Sequence, residues 1–193
     1  MQDEASIRDL ARPDFMAMLS DLTGIYAAAM GAAPAELPAR RAIMERHTGN
    51  PGFRAVAATT GGPDKVVAFA YGFRGAPGQW WHDVVRAGLS ARAGPAAATA
   101  WLDDVMEIAE VHVHPDYQAR GIGREKLLSL TSGRDERVAL LSTRDAPTRA
   151  RRLYRRLGFA ELLTQFEFPG GGPLYLVMGA LLPLRQEQGR TSA

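Results

Sequence analysis

The passage from Val105 to Gly123 constrains this chain more than any other. An apolar-rich run, Val105–Val113, reads as a buried strand. Pro115 and Tyr117 turn the chain, and Gln118-Ala119-Arg120-Gly121-Ile122-Gly123 opens a helix-like segment. A strand, a turn and a glycine-rich helix start together make an anion site. The first amides of a helix have no partner inside it, and the positive end of its dipole points the same way. Glycine lets the backbone come close to the anion.

Three phosphate-binding patterns compete for this stretch, beside a plain loop-to-helix turn. A P-loop ends in Gly-Lys-Ser/Thr, whereas Arg124-Glu125 follow Gly123 here. A dinucleotide loop needs a third glycine, and Lys126 stands in that place. The Gln/Arg-x-x-Gly-x-Gly/Ala loop that holds the pyrophosphate of coenzyme A fits without a gap at Gln118, Arg120, Gly121 and Gly123. The flanking segments agree with it. Glu107–Tyr117 has the form of a central strand and its exit turn, Val138–Thr143 that of the next buried strand, and Leu153-Tyr154-Arg155-Arg156-Leu157-Gly158-Phe159 closes a helix. With these two signatures in order, the chain resembles the GNAT superfamily of acyltransferases from about Val105 to Leu182. Its N-terminal half resembles the family only in its pattern of elements.

Composition fits an ordinary globule. The chain has 193 residues, 46% hydrophobic and 23% charged, and a formal charge of +2. That charge makes no case for nucleic-acid binding. It has no cysteine, which excludes disulfides, a cysteine nucleophile and thiolate metal sites. The acidic start Met1-Gln2-Asp3-Glu4 lacks an apolar signal segment, and no run reaches membrane-spanning length. The expectation is a cytoplasmic protein without membrane contact, a monomer or homodimer.

Periodicity predicts a short strand over 5–11, a helix from Pro13 or Asp14 to about Met30, and a helix over 38–47. Strands over 53–60 and 65–73 flank the turn Gly61-Gly62-Pro63-Asp64. Residues 74–104, rich in Ala and Gly, read as irregular. Strand 105–113, helix 121–132, strand 137–142, helix 148–157 and strands 159–168 and 174–182 follow. This order implies an α/β (α+β) fold, with a mixed, mostly antiparallel sheet of six to seven strands and helices on both faces. A single domain over 1–184 and a polar tail over 185–193 are expected.

The resemblance implies an acetyl-CoA-dependent N-acetyltransferase acting by direct transfer to a primary amine in a ternary complex. Cofactor contacts then fall on Gln118, Ala119, Arg120, Gly121, Ile122, Gly123 and Arg124. The backbone of Val111, His112 and Val113 would pair with the pantetheine arm, with an N–H facing the acyl oxygen. Where the family often places Asn for the cofactor arm this chain has Pro147, so Ser142, Asp145 or Thr148 would substitute. Tyr154 falls where the family places a tyrosine near the coenzyme sulfur. A phenol of pKa about 10 can protonate a thiolate of about 8.5. Glu107 and Glu110 are both candidates for the base, and His112 is a third. His112 and His114 form a His-x-His pair with no third ligand nearby, so no metal is expected.

The acceptor has no signature. Tyr26, Tyr71, Trp80 and Trp81 can line an apolar wall, and Asp83, Asp103 and Asp104 can attract a cation. A small-molecule amine is the first expectation and a protein N-terminus or lysine the second. A coenzyme A-binding domain without catalysis is the rival from another class.

Overall fold

A computed structural model describes residues 5–62 and 65–185. Its seven strands are β1 (Ser6–Leu10), β2 (Arg54–Thr59), β3 (Val66–Arg74), β4 (Val105–Val113), β5 (Val138–Arg144), β6 (Ala160–Phe166) and β7 (Tyr175–Leu181). They form one sheet in the order β1-β2-β3-β4-β5-β7-β6. The β4–β5 pair is parallel, with Val105–Glu107 against Val138–Leu140. The β1–β2, β2–β3, β5–β7 and β6–β7 pairs are antiparallel. The mixed, mostly antiparallel α/β sheet that the sequence implies is therefore present. Of the expected turn at 61–64, Pro63 and Asp64 lie outside the described residues, as does all of the expected tail beyond Arg185.

Contacts divide the chain into two compact units: residues up to Arg74 with Ile108–Ser132, and Gly75–Glu107 with the residues from Gly133 onward. In the first unit, the helix expected from Pro13 to Met30 is two helices, α1 (Arg12–Ala17) and α2 (Leu19–Met30). Met18, with ψ near 3°, interrupts the helical run between them. Gly31 ends α2 in a left-handed conformation, φ 63°, where a side chain would be strained. Helix α3 (Leu37–His47) carries Pro38 in its first turn, where the missing N–H costs nothing. Phe15, Leu19, Leu22, Ile25, Tyr26 and Met44 bury against Ala57, Phe69, Tyr71 and Phe73. Side chains alternate along a strand, so Ala58 and Ala68 reach the other face. There they pack with Ile122, which opens α6 (Ile122–Thr131).

The second unit corrects the reading of residues 74–104. They contain α4 (Trp80–Ala93) and α5 (Pro95–Leu102). Alanine, counted there as a sign of irregular chain, is the strongest helix former. His82, Val85 and Leu89 bury at helical spacing on α4, as do Ala98 and Leu102 on α5. Gly94, at φ 87°, breaks the two apart and Pro95 restarts the helix. The fully buried His82 fastens them, its Nε2 lying 3.1 Å from the Leu102 carbonyl. Helix α7 (Arg149–Arg156) starts at Thr148, whose hydroxyl accepts from Arg151 N–H at 3.1 Å.

Close packing in this unit has a measurable consequence at Gly179 on β7. A Cβ there would lie 2.8 Å from both Leu162 Cδ1 and Trp101 Cζ3. Gly179→Ala should therefore destabilise the protein by about 1–3 kcal/mol through overpacking, read as a lowered midpoint in thermal denaturation. An unchanged or raised midpoint would contradict this packing.

Candidate active site

The exit from β4 is built to leave amides open. A 3₁₀ turn at Pro115–Tyr117 redirects the chain, and Gln118 Nε2 reaches back to the Val113 carbonyl at 3.1 Å. Ala119 (φ 63°) and Gly121 (φ 84°) are both left-handed. A non-glycine residue pays roughly 1–2 kcal/mol for that conformation, so Ala119 is a point of local strain. Helix α6 begins at once, and no side chain caps it. The N–H groups of Gly121, Ile122 and Gly123 thus precede the first intrahelical bonds, which run from Arg124 and Glu125 to the Gly121 carbonyl. Alternating left-handed residues before a helix start form an anion-binding concavity. Arg120 is exposed and lies over the Tyr117 ring at 5.2 Å, and Arg124 is half-buried. Glu125 is the acidic side chain of the first turn. Open amides, two arginines and room beside Gly121 fit a pyrophosphate.

The two glutamates of β4 meet opposite fates. Glu110 is buried and engaged at both oxygens: Arg40 Nη1 on α3 donates to Oε1 at 2.9 Å, and His112 Nε2 contacts Oε2. Arg40 lies over the Tyr26 ring at 4.7 Å, and the same ring meets His112 edge-on at 5.1 Å. Nearby, His47 Nδ1 is 3.1 Å from the Tyr71 hydroxyl, and burial pushes its imidazole down to about 4. Glu107 is equally buried, but its Oε2 has no hydrogen-bond partner among the described residues. Burial raises its pKa to about 8.

Other expected site residues are placed as follows. Tyr154 is buried on α7, its ring 5.8 Å from that of Phe159. Ser142 accepts from Trp81 Nε1 at 3.2 Å. Asp145 takes Arg151 Nη1 at 3.0 Å and the Gln165 N–H at 2.7 Å, so it and the Thr148 cap hold the local fold. Trp80 is 60% exposed and lies beside Phe168, while Trp81 packs in the second unit's core. Tyr71 is fully buried, with its hydroxyl 3.1 Å from His47 Nδ1. Arg40, His47 and Lys126 were not singled out for the site. Only Lys126 carried a visible signal, a lysine amid apolar helix positions at the third-glycine place. Among the described residues no group of three His, Asp or Glu could hold a metal, and no helix is long and apolar enough to cross a membrane.

Comparison with known proteins gives the class. Residues 63–161 match the acetyltransferase (GNAT) domain family. The "GCN5-like protein acetyltransferase Rv2170" of Mycobacterium tuberculosis is 34% identical, across 91% of this chain and 97% of that one. Two solved structures share the fold. PH1933 of Pyrococcus horikoshii has a TM-score of 0.64 at 21% identity, covering 92% of this chain and 98% of its own. The protein yncA of Salmonella typhimurium, solved with its cofactor acetyl-CoA, has a TM-score of 0.60 at 20% identity, covering 98% of each. The chain belongs to the GNAT acetyltransferase family. It is an N-acetyltransferase, with acetyl-CoA as its acetyl donor.

The buried Glu107 makes stability depend on pH in a defined direction. Its folded pKa of about 8 lies above its ordinary value of 4.5. Between those values the folded state keeps a proton that the unfolded chain has lost, so stability falls as pH rises across that window and is level below it. Glu107→Gln should remove the fall, giving a melting midpoint that changes less from about pH 5 to about pH 8 than the wild type's. Parallel profiles for the two proteins would contradict the assignment.

Proposed function

We propose that this enzyme transfers acetyl directly from acetyl-CoA to an amino group of a protein, a lysine side chain or an N-terminus, with both substrates bound together. The observation that carries the acceptor class is the 34% identity, over nearly the whole of both chains, to a relative named as a protein acetyltransferase. A small cationic amine is the alternative acceptor, and the acidic residues that would attract it have these partners. Asp83 accepts the Gly78 N–H, Asp103 pairs with Arg86, and Asp104 accepts the Arg137 N–H. All three carboxylates thus have partners within the fold.

Acetyl-CoA, when bound, supplies a thioester carbonyl and a thiolate leaving group. The amides of Gly121–Gly123, with Arg120 and Arg124, would hold its pyrophosphate. Val111–Val113, beyond the last β4–β5 pair at Glu107, offer backbone to the pantetheine arm. An N–H there serves as the oxyanion donor. Glu107 takes the proton of the attacking amine. Its unpartnered oxygen and raised pKa suit that role, whereas Arg40 and His112 engage both oxygens of Glu110. Tyr154 would supply its phenolic proton to the thiolate leaving group and regain one afterwards. Holding amine and thioester together supplies much of the rate by proximity.

The test is thiol release from acetyl-CoA with lysine-containing and free N-terminal peptides, set against polyamines and other small amines. Peptide-dependent release is expected. Release confined to small amines would overturn the acceptor class, and release with neither would overturn the activity. Tyr154→Phe should lower kcat by about 100-fold, and Glu107→Gln by a similar factor, with acetyl-CoA affinity little changed in both. The wild-type kcat/KM should rise with pH to a limb near 8 that Glu107→Gln lacks. A Glu107→Gln enzyme of full activity would move the base elsewhere on β4. Gly121→Val, forced to φ 84°, should instead raise the KM for acetyl-CoA.

A further inference from the structure

Lys126 is a lysine in a place that packing alone would give to a leucine. It stands one turn into α6 on the face that carries Ile122 and Leu130, and it is fully buried. Its Nζ donates to the Phe69 carbonyl at 2.8 Å and to the His112 carbonyl at 2.5 Å. Those carbonyls belong to β3 and β4, which are neighbours in the sheet. The His114 N–H donates to the Val67 carbonyl at 2.9 Å. Two residues on along β3 and two back along β4 stand Phe69 and His112. Carbonyl direction repeats every second residue, so both of these face the gap between the strands. Lysine reaches that gap from the helix side and serves both acceptors. Burial lowers its pKa well below the ordinary lysine value. Burying an amine costs more than burying a hydrocarbon of the same volume, so its presence calls for a role that a hydrocarbon cannot fill.

The neighbours of Lys126 supply that role. Gly121–Gly123 lie at the N-terminus of the same helix, and His112 lies within the strand segment assigned to the pantetheine arm. We propose that Lys126 is a positioning residue for acetyl-CoA: by tying the β4 backbone at His112 to α6, it sets the spacing between the pantetheine-pairing strand and the pyrophosphate-binding amides. This rests on the cofactor reading above. With the tether in place, one ligand meets both contacts at once. Without it, β4 and α6 keep their separate contacts but lose their common register.

The absence of native cysteine makes a specific test available. Lys126→Cys would carry the chain's single thiol. Alkylated in denaturant with 2-bromoethylamine and refolded, it regains an amine of lysine's length; alkylated with 1-bromopropane, it gains the length alone. Calorimetry would compare acetyl-CoA with adenosine 3′-phosphate 5′-diphosphate, which has the pyrophosphate but no pantetheine. The propylated protein and Lys126→Met should lose affinity for acetyl-CoA by about tenfold, while their affinity for the nucleotide stays within about twofold. The aminoethylated protein should recover both. Equal loss for the two ligands, no loss for either, or failure of the amine to rescue would overturn the proposal. So would failure of every Lys126 variant to refold, since the lysine would then serve the fold as a whole. A wild-type protein that binds neither ligand would remove the cofactor reading itself, and the proposal with it.

Discussion

The geometry of this protein turns on how the chain leaves β4. It must reverse into α6 within a few residues, and it does so through left-handed Ala119 and Gly121. That path leaves a helix start with no side-chain cap. Uncapped amides are a cost in the empty protein and an asset once an anion sits on them. The arrangement needs α6 seated firmly. Ile122, Leu127 and Leu130 bury its underside, and Lys126 adds a directional bond to two strands where apolar packing gives none.

Charge along β4 is divided by the partners that tertiary structure provides. Glu110 meets Arg40 and His112, and so forms a neutralised polar knot between the strand and α3. Removing one member of such a knot would strand a buried charge, which is why the knot reads as architecture. Glu107 meets no such partner at Oε2 and pays for burial with a raised pKa. That state suits the role of base proposed for it, since a base must take a proton near neutral pH and release it afterwards.

The sequence made some of this legible and hid the rest for physical reasons. The Gln118–Gly123 loop was readable because its turn into α6 needs a left-handed backbone, which glycine marks at Gly121 although Ala119 adopts it too. Strand β4 was readable to the residue, because a buried strand needs a sustained apolar run. Helices α4 and α5 were not, because their alanines and glycines resemble loop composition until packing shows what they bury. Gly88, for example, lies so close to the Phe166 ring that a Cβ would come within 2.6 Å of it. Arg40 and His47 reach Glu110 and Tyr71 only because α3 folds back over β3 and β4. Nothing local marks that approach. Lys126 interrupts an apolar helix face, but its two carbonyl partners lie 57 and 14 residues away along the chain.

The central claim is that the open amides at the start of α6 hold the pyrophosphate of acetyl-CoA. Amide NMR of the nitrogen-15-labelled protein during titration with acetyl-CoA tests it most directly. The account predicts that the N–H resonances of Gly121, Ile122 and Gly123 shift downfield by more than those of the remainder of α6, as they take up charge-assisted bonds. Saturable binding that leaves these three resonances in place would contradict it.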